Sequence, residues 1–266
     1  MPLPEVTRRQ LEEALQQAGI REGDGLLVHS ALHVLGRPAD GPGMYWEALQ
    51  HAVGPQGTVA VPTFNFGFAR GEAYDPAETP AKDMGVFSEL VRQLPQARRT
   101  THPLQSLALV GGHAADLAGL DTLDAFQDGA VFDRMLALGF KVFLLGADVQ
   151  AVSLVHYSEQ RAKVPYRYWK DFSGQYKVGN AWETRTYKMF ARDLELDPQL
   201  RLKPIQDELQ AQGQWRAAKL NYGYISVCTF SEFTTAADKL LAADPWVLVA
   251  NREEAQARAN TKTMER

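Results

Sequence analysis

His156 and Glu159 stand three residues apart in the run Ser153-Leu154-Val155-His156-Tyr157-Ser158-Glu159. On a helix that spacing places Ser153, His156 and Glu159 on one face. A carboxylate so placed can orient an imidazole and stabilise its protonated form. The imidazole can then take a proton from an attacking nucleophile, because its intrinsic pKa lies near operating pH. Spacing alone leaves a second possibility open, a surface helix with an incidental His and Glu. A second polar group is Arg98-Arg99-Thr100-Thr101-His102-Pro103-Leu104-Gln105-Ser106. Its arginines can meet phosphates, and Pro103 biases His102 toward an extended backbone. The alternative is a solvated loop. A third is Val28-His29-Ser30-Ala31-Leu32-His33-Val34-Leu35-Gly36, where amides at a strand-to-helix turn can hold an anion or a developing oxyanion.

Other chemistries lose ground on the residues. No GxGxxG follows a first strand and no GxxxxGK[ST] occurs, which counts against dinucleotide binding and nucleotide hydrolysis. No GxSxG elbow is present. The six histidines (29, 33, 51, 102, 113 and 156) show no recognised ligand spacing, and the single cysteine rules out a Cys-built zinc site, so no metal is expected. Cys228 lies in the strand-like run Ile225 to Phe230, where a thiol is usually inert core rather than a nucleophile.

The elements that must position these groups read as an α/β fold. The chain has 266 residues, 45% of them hydrophobic and 23% charged, enough for one sizeable core. Short apolar strands at Leu26–His29, Thr58–Pro62, Leu107–Val110 and Lys141–Gly146 alternate with helices at Met44–Val53, Gly85–Leu94, Val131–Leu138 and Val152–Ala162. A helix capped by Thr7 precedes them. This alternation predicts a central mixed sheet flanked by helices. Phe64, Phe66 and Phe68 mark an aromatic loop, and residues 69–83 form a long one. Beyond residue 165 the aromatics Tyr166, Tyr168, Trp169, Phe172 and Tyr176 cluster. Residues 182–194 suggest antiparallel strands, followed by helices at 199–212 and 230–241 with a strand at 222–230. The expected organisation is one domain over residues 1–266, with a core at 5–165, an irregular antiparallel acceptor-side region at 166–250 and a frayed tail at 251–266.

The net charge is −4 and no long basic run occurs, so a nucleic-acid partner is not expected. No run of 18 apolar residues occurs, so no membrane span is expected. The first residues lack the apolar stretch and cleavage site of a signal peptide, which makes the cytoplasm the expected compartment.

In order along the chain, these segments resemble the aminoglycoside 3-N-acetyltransferase family. The matching pieces are residues 27–32 with Leu35-Gly36; residues 57–64; Tyr74-Asp75-Pro76, Thr79-Pro80 and Met84-Gly85; residues 98–103 with Ser106; Ala125-Phe126 with Gly129; and Leu144-Leu145-Gly146 with His156-Tyr157-Ser158-Glu159. The resemblance covers residues 5–165 well and the remainder loosely. It implies acetyl-coenzyme A as co-substrate, a small-molecule amine on an aminosugar as acceptor, and direct transfer. It implies His156 as general base with Glu159 orienting it. It implies coenzyme contacts from His29, Ser30, Ala31, Leu32, His33, Leu35, Gly36, Arg37, Arg98, His102 and Ser106. The acceptor side is expected to include Asp75, Tyr166 and Trp169. The resemblance implies as acceptor an aminoglycoside-like molecule or an aminosugar of cell-surface polysaccharide synthesis. A polycationic drug calls for a strongly acidic pocket, and the acidic residues available, Asp75, Glu78, Asp83 and Asp171, are scattered. The competing readings are a coenzyme- or sugar-binding module without turnover, and a hydrolase using Cys228 or Ser30.

Overall fold

The computed structural model describes residues 4–264. Strand β1 (Glu5–Val6) leads into helix α1 (Arg8–Gln17), β2 (Gly25–Ser30), β3 (Arg37–Pro38), α2 (Gly43–Val53), β4 (Thr58–Pro62), α3 (Val86–Arg92), β5 (Arg98–Arg99) and β6 (Leu107–Gly111). Then follow α4 (Ala114–Ala118), α5 (Val131–Ala137), β7 (Lys141–Leu145), α6 (Val155–Ala162), β8 (Arg167–Val178) and β9 (Ala181–Arg192). The chain continues through α7 (Lys203–Ala211), β10 (Arg216–Leu220), β11 (Gly223–Thr229), α8 (Phe230–Ala243) and α9 (Arg252–Met264).

Seven strands form one mixed sheet in the order β10-β11-β7-β2-β4-β6-β5. Strand β2 is parallel to both β7 and β4, and the outer pairs are antiparallel. The middles of the central strands are apolar on both sides because helices cover both faces. Leu27, Ala60, Leu109, Val142 and Leu144 pack with side chains of α5, α6, α7 and α8. Their neighbours Leu26, Val28, Val59, Val61 and Phe143 pack with α1, α2 and α3 on the other face. This alternation is the period of two that a strand imposes. Each Val, Leu or Phe among them contributes roughly 1.5–3 kcal/mol on burial. Capping boxes start the helices that cover each face: Thr7 with Gln10 for α1, and Thr229 with Glu232 for α8.

Strands β8 and β9 form their own two-stranded sheet, from Arg167↔Arg192 to Val178↔Ala181, with one further bridge from Tyr176 to Tyr74. This hairpin is held over the molecule by a separate cluster of Phe68, Tyr74, Leu104, Tyr176 and Tyr187.

Three expectations change. Residues 252–264 form α9 rather than a frayed tail. Ala255 is buried, the Arg258 guanidinium donates to the Leu196 carbonyl, and Lys262 pairs with Asp193 and Glu195. Residues 265–266 of that tail lie outside the described residues. Residues 216–229 return to the main sheet and finish it beside β7. Helix α6 begins at Val155, so Ser153 stands in the preceding turn and not on the helix.

Candidate active site

The carboxyl ends of β7, β2 and β4 lie side by side and open onto a cavity of about 640 Å³. Such strand ends are where ligands gather in α/β sheets. Strand β2 contributes His29 and Ser30, and the turn after it Ala31, Leu32 and His33. Strand β4 ends in Pro62, with Phe64 just beyond. After β7, Gly146 turns the chain at φ 74°. A Cβ there would come within 2.7 Å of the Ala31 carbonyl oxygen, so glycine lets the two strand exits close on each other. The Asp148 side chain accepts from the Gln150 amide and sets the short turn that delivers Ser153, then α6.

His156 in the first turn of α6 borders this cavity. It also borders a second cavity of about 520 Å³ under the β8–β9 hairpin; Phe64 and Leu200 are the other residues common to both. His156 Nδ1 lies 2.6 Å from Glu159 Oε2. Glu159 is fully buried, and the same oxygen accepts from Arg167 Nη2 at 2.9 Å. Arg167 Nη2 is 3.1 Å from His156 Nδ1, and Arg167 Nη1 donates to the Phe190 carbonyl. Since Nδ1 faces a carboxylate at the shorter distance, its proton belongs there, and Nε2 keeps the lone pair. Phe126 meets the imidazole edge-on.

The electrostatics favour a neutral ring. Burial, then the Arg167 charge, pull His156 below its ordinary pKa, while Glu159 pulls the other way and loses. Burial pushes the Glu159 carboxyl up, but Arg167 and His156 outweigh it and hold it below the ordinary value. The Glu159 charge and burial both push the nearby Tyr166 phenol up. The Ser153 hydroxyl is buried in the sheet-end cavity with no partner, and so is His29 Nε2. Burial lowers His29 to about 4.

The residues anticipated from sequence divide. His29, Ser30, Ala31, Leu32 and His33 line the sheet-end cavity with His156. Leu35, Gly36 and Arg37 do not. Leu35 is core, Gly36 packs so tightly that a Cβ would stand 2.3 Å from the Pro4 carbonyl oxygen, and exposed Arg37 pairs with Glu5. They anchor the β1–β3 pair. Arg98 is exposed on β5 and borders a different cavity. Arg99 donates to the Thr63 carbonyl at 2.5 Å and to the Thr79 carbonyl, and lies over the Tyr74 ring, so it fastens loops together. Ser106 donates to the Thr63 carbonyl at 2.6 Å. His102 is buried, donates from Nε2 to the Lys188 carbonyl and packs on Tyr187, tying its loop to the hairpin.

On the acceptor side, Asp75 is paired with Lys177 at 2.7 Å and Tyr166 is buried against Trp246, away from either cavity. Trp169 is half exposed against Phe190. Its neighbours Tyr168, Lys170 and Phe172 line the hairpin cavity instead. Arg167 and Arg192 were not anticipated. Nothing local marks Arg167, whose partner lies eight residues back on another element; the alternation along β8 does mark the face shared by residues 168, 170 and 172. Cys228 is wholly buried with its thiol pushed up to about 12, which removes it as a nucleophile. Among the described residues no group of three His, Cys, Asp or Glu side chains gathers as a metal site.

A family model described as aminoglycoside 3-N-acetyltransferase matches residues 27–242. Aminoglycoside N(3)-acetyltransferase III of Salmonella sp is 32% identical over 199 residues, which is 67% of this chain and 70% of the relative. Aminoglycoside N(3)-acetyltransferase VII of Streptomyces paromomycinus is 31% identical over 186 residues, covering 63% and 65%. The solved structure of AAC-IIIb as a binary complex with CoASH superposes with a TM-score of 0.80 at 24% identity, over 90% of this chain and 97% of that one. That likeness is one of fold.

Proposed function

The chain belongs to the aminoglycoside 3-N-acetyltransferase family, and from that premise we propose that it moves an acetyl group onto an aminosugar amine with His156 as general base. Family membership makes it an acyltransferase with acetyl-coenzyme A as co-substrate. The observation that carries the base assignment is the position of His156 between the two cavities, with its Nδ1 held by a buried carboxylate.

The residues of the sheet-end cavity fit the donor. The cavity is mostly apolar in outline, suits a slender arm and thioester, and carries an unpartnered hydroxyl on Ser153. Ser30, Ala31 and Leu32 are the residues that would hold it. When bound, acetyl-coenzyme A supplies an acetyl thioester whose C–S bond is exchanged for a C–N bond to the amine.

An alkylammonium is no nucleophile until it loses a proton. A neutral His156 can accept that proton at Nε2 while Nδ1–H donates to Glu159. The carboxylate stabilises the imidazolium so formed, and Arg167 keeps the carboxylate ionised. The Ser153 hydroxyl is free to donate to a carbonyl oxygen on which negative charge develops.

The test is thiol release from acetyl-coenzyme A with aminosugar acceptors, in wild type and His156→Ala. A fall in kcat/KM of about 10²–10⁴, the usual worth of a positioned base, with coenzyme binding retained supports the reading. Equal turnover in the variant rejects it. Binding of coenzyme without release by any amine points instead to a module that has lost its chemistry.

A further inference from the structure

The hairpin cavity is basic. Among the residues that line it are Arg167, Lys170 and Arg192, and no Asp or Glu. Apart from Gln105 and His156, the rest of its wall is apolar and aromatic, with Phe64, Phe66, Tyr168 and Phe172.

The three cations are not equivalent. Arg167 is committed to Glu159 and to the Phe190 carbonyl. Among the described residues, neither Arg192 nor Lys170 has an ion-pair partner; the Lys170 ammonium lies over the Phe172 ring. The hairpin register adds a second, independent observation. Arg167 and Arg192 face each other across β8 and β9. Like charges directly opposite in a sheet are destabilising, and Glu159 neutralises only one of the two. The carboxylate next in sequence, Asp193, pairs with Lys262 of α9. An unmatched guanidinium is therefore built into the wall close to His156.

Resting on the transferase reading above, we propose that the acceptor is an aminosugar that also carries an anionic group, a phosphate or carboxylate, bound by Arg192 and Lys170. Guanidinium and ammonium groups recognise such oxygens by charge-assisted hydrogen bonds. The aromatic walls suit the apolar face of a sugar ring. A polycationic aminoglycoside would bring several ammonium groups against two unpaired cations, with no carboxylate among the lining residues to meet them, which costs affinity. The same two cations can also receive the phosphates of the coenzyme, so the test must separate the two sources.

Thiol release from acetyl-coenzyme A is measured with glucosamine, glucosamine 6-phosphate and gentamicin, in wild type and in Arg192→Gln/Lys170→Gln. Binding of both glucosamines to the acetyl-coenzyme A-loaded protein is measured by calorimetry. The expected result is a kcat/KM at least roughly tenfold higher for the phosphate sugar than for glucosamine, on the scale of one charge-assisted contact. In the double variant that ratio falls close to one, while the KM for acetyl-coenzyme A moves less than about twofold; Arg192→Lys keeps most of the preference. Better turnover of gentamicin, or no preference for the phosphate in either readout, overturns the proposal. So does a rise in the KM for acetyl-coenzyme A with the acceptor ratio unchanged, which assigns the cations to the coenzyme. Calorimetric preference that is lost in the variant, without thiol release from any sugar, keeps the anion site and rejects the transferase reading.

Discussion

The Arg167 guanidinium lies 2.9 Å from Glu159 Oε2, and both side chains are almost entirely withdrawn from solvent. A buried ion pair is costly to break from one side, because the remaining charge is left without a partner. The pair also sets the imidazole beside it, since Arg167 pulls the His156 pKa down and Glu159 pulls it up.

Two opposed pH shifts follow. In Glu159→Gln the upward influence on His156 is gone, so its pKa falls further and the acid limb of kcat/KM moves to lower pH. The rate at neutral pH drops more than about tenfold, because the imidazolium loses its counter-charge. In Arg167→Gln the downward influence is gone and the acid limb moves to higher pH. Parallel shifts in the two variants would rule out this coupling. The unfolding free energy of Glu159→Gln, read from urea titration, should also fall by about 3 kcal/mol or more if Arg167 stays buried and charged.

Ser153→Ala removes the unpartnered hydroxyl at the end of the sheet. A single donor to developing charge is worth about 10²–10³ in kcat. We expect a loss toward the lower end of that range, a KM for acetyl-coenzyme A within about twofold, and recovery in Ser153→Thr, which keeps the hydroxyl. A change in KM alone would assign Ser153 to binding rather than to chemistry.

Acid should unfold the protein through two buried rings other than the proposed base, His29 and His102. Burial holds His29 and His102 at about 4 in the native state, against about 6.5 in the unfolded chain. Protons therefore bind the unfolded state preferentially between those values. The stability they confer is complete above pH 6.5 and is lost as pH falls toward 4, by up to roughly 3 kcal/mol per ring. Urea midpoints for wild type and His102→Gln at pH 7 and pH 4.5 check this: the drop should be smaller in the variant. An equal drop in both would clear His102 of any part in it.

Cys228→Ala should turn over within about twofold of wild type, and the native protein should resist iodoacetamide, because the thiol is buried and its ionisation suppressed. Loss of activity in the alanine variant would revive a cysteine mechanism.

Much of this molecule is legible from its residues. The runs Thr58–Pro62 and Lys141–Leu145 announce strands because both of their faces are buried, so that each is apolar after its first residue. The His156–Glu159 spacing reads directly because both lie on one helix. Arg167 escaped because its tie to Glu159 crosses from a strand to a helix, and no spacing rule spans that gap. Strand β10, with polar Arg216 and Lys219 at the edge of the sheet, and helix α9, where Ala255 is the buried anchor, hold their shape through distant partners rather than local pattern. The segment from Leu35 to Arg37 misled for the opposite reason. It adjoins the cavity in sequence, but the chain turns away at Gly36 and its side chains serve the β1–β3 pair.

The hairpin has its own hydrogen-bonded ladder, and no strand of the seven-stranded sheet shares it. The two cavities thus take their walls largely from separate ladders and meet at His156, Phe64 and Leu200. Variation along Tyr168, Lys170 and Phe172 can accumulate without shifting the register of β2 or β7. A lineage built this way can change what it acetylates while leaving untouched the strands that line the other wall.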